Sequence, residues 1–271
     1  MDYEDLLRAA RKAAVSGAKT AEEVLSSGEG SKPLGRGASG DVTLYVDKAV
    51  EDAIFDSIGE EFDAFSFLGE ERGLVRVGSD YPLFIVDPVD GSFNASRLIP
   101  PYAVSIAVST GPKLRDVAVG VVHMINPKGV VFHAVAEGGA YRGVERLVVP
   151  REERGDIGVV IAYSRKTHQQ VGAFASLAAE RGWKIRTLGC ASYEVCLVSE
   201  GRYDVYANLW GSARVVDLAA ALLIAQESGC SLFLEPENPL LDLKERIRVA
   251  VARTDDILRK TLELDRARSV G

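Results

Sequence analysis

A layered α/β fold is predicted from the order in which three hydrophobic patterns follow one another along the 271-residue chain. An amphipathic helical stripe comes first, and short β-rich segments broken by Gly and Pro follow. From about residue 157 strands and helices alternate. That order stacks sheets and helices in layers, with a division near residue 150 into a part spanning 1–150 and a part spanning 151–271.

Residues 2–26 read as the first helix, because Leu6, Ala10, Ala13, Ala14, Gly17, Ala21, Val24 and Leu25 recur at spacings of three and four. A Gly- and Ser-rich loop follows over 28–41, a mobile element or a plain connector. A short strand over 42–46 leads to a helix over 47–62 with Val50, Ile54, Ile58 and Phe62 inward. Apolar runs at 65–68 and 83–86 each end in acidic residues. Segments 103–110, 117–124 and 130–136, joined by Gly/Pro turns, predict an antiparallel meander. Strands over 157–162, 183–188, 204–207 and 247–251 are then interleaved with helices over 167–181, 191–200 and 213–229, and a helix over 254–264 closes the order.

Composition narrows the function classes. Apolar residues are 47% and charged residues 26%, which excludes disorder, collagen and coiled coil. The longest apolar run, Leu218 to Ala225, is far short of the roughly 20 residues that span a bilayer. The charged N-terminus lacks the apolar core of a signal peptide, so a cytoplasmic location is expected and no membrane partner. The net charge of −7 comes without a basic stripe, so nucleic acid is not an expected partner. Cys190, Cys196 and Cys230 are too scattered for a disulfide framework or a thiolate zinc site, and read as small buried hydrophobes. His123, His133 and His168 are isolated, the first two at strand positions suited to packing. Any metal must therefore be a hard cation held by carboxylates.

Acids gather at strand ends. Gly69-Glu70-Glu71 closes one strand and Asp87-Pro88-Val89-Asp90-Gly91-Ser92-Phe93-Asn94 the next. Ligands of open α/β sheets collect at the carboxyl ends of strands. Asp87 and Asp90, three residues apart across a turn shaped by Pro88 and Gly91, can converge on one site, with the Val89 carbonyl between them. Carboxylate and carbonyl oxygens are what Mg²⁺ accepts. Taken singly, each piece has a plainer use: DPVDG makes a turn, Asp47 and Asp217 cap helices, and GEE ends a strand in solvent.

Together these segments resemble the inositol monophosphatase superfamily, in particular its archaeal branch acting on fructose-1,6-bisphosphate and inositol phosphate. The resemblance rests on SGDVTLYVDKAVED (39–52), FLGEE (67–71), DPVDGSFN (87–94), NPKGVVFHAVAEGGAY (126–141) and ARVVDLAAALLIAQESG (213–229), and covers nearly the whole chain. It implies an αβαβα sandwich of the sugar-phosphatase type, two or three Mg²⁺ ions per subunit, and a homodimer. The first ion would take Glu70, Asp87 and the Val89 carbonyl, and the second Asp87, Asp90 and Asp217. Ser92 with Asp47 would help deprotonate the attacking water, and Asp41, on the mobile loop, would assist a third metal or position that water. Gly91 and the N–H groups after Asp90 would receive the phosphoryl oxygens. Arg186, beside the Gly189-Cys190-Ala191 turn, and Arg214 would meet the substrate, as would Asp90, Ser92, Asn94, Gly189 and Ala191. Arg186 could equally be a surface residue, and Arg214 could only orient a helix start. Trp210 replaces a charged or polar substrate contact of many relatives, and Val216 replaces their Trp. Arg165 and Lys166 could meet a second phosphate or simply be solvated.

The reaction implied is hydrolysis of a phosphate monoester, very slow without a catalyst, by in-line attack of a metal-activated water. Mg²⁺ bound to the carboxylates would invert the local field, so the acidic balance does not exclude an anionic substrate. Two alternatives accompany this expectation. The same chemistry could serve a 3′(2′),5′-bisphosphate nucleotide or the 2′-phosphate of NADP, or the scaffold could be a non-catalytic regulatory binding module.

Overall fold

The computed structural model describes residues 2–152 and 155–268. In chain order the elements are α1 (Tyr3–Ser26), β1 (Pro33–Arg36), β2 (Val42–Leu44), α2 (Tyr45–Gly59), β3 (Phe65–Gly69), β4 (Gly73–Asp90), α3 (Ser92–Ala95), β5 (Tyr102–Ser109), β6 (Val117–Asn126), β7 (Val131–Val135), β8 (Gly139–Arg142) and β9 (Glu145–Leu147). They continue with β10 (Gly158–Ile161), α4 (His168–Glu180), β11 (Lys184–Arg186), α5 (Ala191–Ser199), β12 (Val205–Arg214), α6 (Val215–Ser228), β13 (Ser231–Glu235), β14 (Arg246–Ala252) and α7 (Asp255–Arg268).

Two sheets carry the architecture. The larger runs β3-β4-β5-β6-β7-β8-β9, and from β4 onward every neighbouring pair is antiparallel. This is the meander that the Gly/Pro-punctuated segments predict. The smaller sheet runs β11-β10-β12-β14-β13, parallel across its first three strands and antiparallel beyond.

Three apolar cores alternate with the sheets. Leu6, Ala10, Ala13 and Ala14 of α1 pack with Val50, Ile54 and Ile58 of α2 on one face of the larger sheet. Helices α5 and α6 fill the space between the two sheets, where α6 is apolar all round because both sides are covered. Helices α4 and α7 cover the outer face of the smaller sheet. The result is an αβαβα sandwich. Among the described residues no helix is long and apolar enough to cross a membrane.

Several elements differ from expectation. Helix α2 starts at Tyr45 and stops at Gly59, so Phe62 lies beyond it and packs its ring on Phe84, 5.6 Å between centroids. Strand β4 spans 18 residues, and only its last part was legible as an apolar run. Its second half lies parallel to β3, with Ser66 opposite Leu83 and Gly69 opposite Val86. Its first half folds back along the other side of β3, with Phe65 opposite Val77 and Gly69 opposite Gly73. Residues 74–80 alternate exposed and half-buried, and Arg76, Gly78 and Asp80 at the exposed positions break the apolar signal there. Strand β1 lies inside the expected 28–41 loop and pairs antiparallel with β2. Strands β8, β9 and β13 add to the expected order, and β12 runs on to Arg214 through an irregularity between Asn208 and Ala213.

The sheet-to-helix spacing depends on one small residue. A Cβ on Gly120 of β6 would lie 2.5 Å from the Ala220 carbonyl of α6, a backbone atom that cannot swing aside. Because α6 carries Asp217 in its first turn, this contact also sets where that carboxylate stands. Gly120→Ala is expected to cost about 2 kcal/mol, as overpacked cores do. Urea unfolding should show it as a lower midpoint at unchanged slope.

Candidate active site

The elements bring five separated stretches to one place. β3 ends at Gly69 and delivers Glu70, while β4 ends at Asp90 and delivers Asp87, the Val89 carbonyl and Asp90. α6 contributes Asp217 and the residue before it contributes Arg214. α2 contributes Asp47, and the loop between β1 and β2 contributes Asp41.

Asp87 is buried among the other carboxylates. Burial, then the charges of Glu70, Asp90 and Asp217, raise its carboxyl well above the usual range. Its Oδ1 is buried and has no hydrogen-bond partner. Glu70 is pushed up to about 8, first by burial, while Arg214 pulls the other way.

Arg214 holds this cluster in the structure. Its Nη2 lies 2.7 Å from Glu70 Oε1, and its Nε donates to both oxygens of Asp217 at 3.0 and 2.9 Å. Its Nη1 donates to Asp41 Oδ2 at 3.0 Å. The residue expected to meet substrate thus sits among carboxylates. Among the described residues no three acid, His or Cys side chains are already drawn together as a metal-binding group.

Asp90 takes a different partner. Its Oδ1 accepts the Ala191 N–H (3.1 Å), and its Oδ2 accepts the Ser192 N–H (2.6 Å), the Ser192 hydroxyl (2.5 Å) and the Cys190 thiol (3.3 Å). These donors open α5, where the helix dipole favours an anion. Burial still raises the Asp90 carboxyl, against the pull of the Ser192 donors. Ser192 was missed by sequence reasoning, since it lies 102 positions from its partner.

Asp47 caps and is available at once. Its Oδ2 accepts the Leu44 N–H at 3.1 Å, the helix-cap role considered for it, while its Oδ1 is buried without a partner. Burial pushes its carboxyl up to about 6, opposed by Leu44 and the neighbouring Ser92. The Ser92 hydroxyl donates to the Val89 carbonyl at 2.8 Å.

The turn after Asp90 is locked to the turn before α5. Gly91 has φ 91°, and a Cβ there would meet the Gly189 and Pro101 carbonyls at 3.0 and 3.1 Å. Asn94 Nδ2 donates to the Pro101 and Leu188 carbonyls at 2.9 and 2.8 Å. Asn94, expected at the substrate, therefore holds the two turns together. Arg186 is exposed on β11 and donates to the Ile185 carbonyl, and Arg165 and Lys166 are also exposed. Trp210 packs edge-on against Phe174, with its Nε1 buried and unpartnered, and Val216 lies in the core.

Two further buried acids shape the site. Glu51 is fully buried and accepts the Glu71 and Arg72 N–H groups at 2.8 Å each, fixing the turn that presents Glu70. Its spacing of four from Asp47 on α2 was the available signal. Glu194 accepts the Leu188 and Gly189 N–H groups at 2.6 and 3.1 Å, and burial pushes its carboxyl up to about 8.

The donor set suits a hard divalent cation. It is all oxygen, it holds a buried carboxylate oxygen with no partner, and it gathers four acids around a single guanidinium.

A family profile described as the inositol monophosphatase family matches residues 2–265. An Archaeoglobus fulgidus protein named fructose-1,6-bisphosphatase/inositol-1-monophosphatase is 30% identical over 97% of this chain and 99% of its own. A Methanococcus maripaludis bifunctional NADP phosphatase/NAD kinase is 26% identical over 83% of this chain, which is 43% of that protein. The crystal structure of an inositol monophosphatase–fructose 1,6-bisphosphatase superposes with a TM-score of 0.81 over 97% of this chain and all of that one, at 22% identity, a likeness of fold.

The raised Glu194 carboxyl has a consequence for stability. The folded state binds its proton more tightly than the unfolded chain, whose value is near 4.5. The stability it contributes is present at acid pH and lost as pH rises through about 8. The metal-free protein should therefore melt ~5 °C lower at pH 9 than at pH 6, on the usual scale of a few degrees per kcal/mol. Glu194→Gln, which keeps an acceptor for both N–H groups, should make that slope shallower, leaving the part that comes from Glu70, whose carboxyl is also pushed up to about 8.

Proposed function

The chain belongs to the inositol monophosphatase family, and on that premise we propose a Mg²⁺-dependent phosphatase acting on fructose-1,6-bisphosphate and inositol-1-phosphate. The observation that carries this reading is the unpartnered Asp87 Oδ1, buried among Glu70, Asp90 and Asp217. Glu70, Asp87 and the Val89 carbonyl would hold one ion, and Asp87, Asp90 and Asp217 a second. Asp90 Oδ1, which accepts only the Ala191 N–H, keeps one lone pair for this even while Asp90 caps α5. When bound, magnesium would lower the pKa of a water and offset the charge of the phosphoryl group.

The remaining work falls to side chains of this protein. Asp47 Oδ1 has no donor, and its carboxyl, near 6, is ionised at neutral pH yet able to take a proton. Rotation of the Ser92 hydroxyl away from the Val89 carbonyl would aim it at Asp47, making a relay for the proton of the attacking water. Gly91 and Ser92 would receive the phosphate end of the substrate, with Arg186 and Arg214 meeting its anionic groups, whereas the Gly189 and Ala191 N–H groups, also expected there, are already taken by Glu194 and Asp90. Asp41 would position the attacking water from the loop above. Residues 1–150 and 151–271 would act as one catalytic unit, because Asp217 and the α5 turn come from the second part. A cytoplasmic homodimer is the setting this reading expects.

A second substrate class, the 2′-phosphate of NADP, is favoured by the likeness to the NADP phosphatase/NAD kinase protein, and a 3′(2′),5′-bisphosphate nucleotide would call on the same chemistry. Phosphate release from fructose-1,6-bisphosphate, inositol-1-phosphate, adenosine 3′,5′-bisphosphate and NADP, each with Mg²⁺ and with EDTA, separates the two. Turnover of the first two, abolished by EDTA, is expected. Turnover confined to the nucleotides would replace the substrate, and no turnover would favour a binding module. Asp87→Asn should lower turnover ~10³-fold or more, the scale of several kcal/mol of lost charge stabilisation.

A further inference from the structure

We propose that Arg214 is a tethered counter-cation of this site, which competes with the divalent metal for Glu70 and Asp217 and must leave both as metal is loaded. The inference rests on the metal-centre reading above, and it gives a metal-linked role to a residue expected only at the substrate or at a helix start.

One guanidinium reaches three carboxylates from three distant parts of the chain. Glu70 follows β3, Asp217 stands in the first turn of α6, and Asp41 belongs to the loop before β2. The three arms are unequal. The side chains of Arg214 and Glu70 are only 14% and 13% exposed, whereas Asp41 is 74% exposed. Solvent screens the Asp41 arm, so that pair contributes little, while the shielded pairs with Glu70 and Asp217 hold the side chain in place.

Those two carboxylates are also the ones that separate ions would share with Asp87. A divalent ion and a guanidinium at the same shielded oxygens repel each other strongly, because little water lies between them. Arg214 is also an incomplete substitute for metal. It brings one positive charge to four converging acids and makes no hydrogen bond to Asp87, whose Oδ1 stays bare. The guanidinium therefore steadies the metal-free fold without satisfying the site. Its exposed arm supplies the exit, since a guanidinium that lets go of Glu70 and Asp217 can remain beside Asp41 at the rim.

Two effects of opposite sign follow, which a purely structural arginine would not produce together. Mg²⁺ binding to the metal-free protein, by titration calorimetry and by thermal unfolding, should be compared for wild type, Arg214→Met, Arg214→Lys and Asp87→Asn. Arg214→Met should bind Mg²⁺ about tenfold tighter or more, since the metal no longer breaks a shielded ion pair. Its metal-free form should melt below wild type and gain more from Mg²⁺. Arg214→Lys keeps the charge but not the fork that spans several carboxylates, so it should bind Mg²⁺ with intermediate affinity. It carries the comparison if Arg214→Met does not fold. Affinity equal to or weaker than wild type in the folded Arg214 variants, with binding lost in Asp87→Asn, would overturn the role of Arg214 and leave the metal centre standing. Undiminished Mg²⁺ binding by Asp87→Asn would overturn the metal centre and this inference with it.

Discussion

Four carboxylates, Glu70, Asp87, Asp90 and Asp217, converge where the strand ends of the larger sheet meet the first turn of α6, and their mutual repulsion is the constraint that the surrounding structure answers. Unpaired buried charges cost several kcal/mol each, so a fold that gathers them must supply donors or cations. It supplies two kinds and leaves one acid over. Asp90 is received by the N–H groups that open α5, Glu70 and Asp217 by Arg214, and Asp87 is left to be satisfied by something else. That residual demand, rather than any single motif, is what ties the geometry to a divalent cation.

The same acids also join the two parts of the chain. The 87–94 turn is fastened to the 188–192 turn by Asp90 to Ser192, by Asn94 to Leu188 and by the close fit of Gly91 on the Gly189 carbonyl. Glu194 steadies the far side of that junction, and Glu51 does the equivalent for the turn bearing Glu70. Buried carboxylates thus serve two ends here. Some are aimed at the site, and others hold backbone N–H groups so that the first set stays in register. Proximity of α6 to β6 at Gly120 completes the arrangement by placing Asp217 opposite the strand ends.

Periodicity and punctuation made much of this legible before any coordinates. The stripe from Leu6 to Ala21 is buried as its spacing predicts, because one helical period is enough to decide which side chains face a sheet. The first half of β4 escaped because its exposed edge alternates charged and half-buried residues, and β8 and β9 because each is only three or four residues long. At the site, DPVDGSFN announced itself through residue type and spacing. Ser192, Glu51 and Glu194 did not, because their meaning lies in partners brought close only by the fold, or in backbone N–H groups that carry no sequence signature. Arg214 shows the limit most clearly. Its place just ahead of Asp217 suggested an orienting or substrate role, while its guanidinium reaches Asp41, 173 positions away.

A divalent cation beside Asp87 would complete the cluster, and its presence can be measured directly. Crystals grown with Mn²⁺ and measured on both sides of the manganese absorption edge would locate the ion directly. An anomalous peak is expected within about 2.5 Å of an Asp87 oxygen, between Glu70 and Asp217, with the Arg214 guanidinium withdrawn from both. An Arg214 still paired with Glu70 and Asp217, with no anomalous peak at Asp87, would contradict a metal centre here.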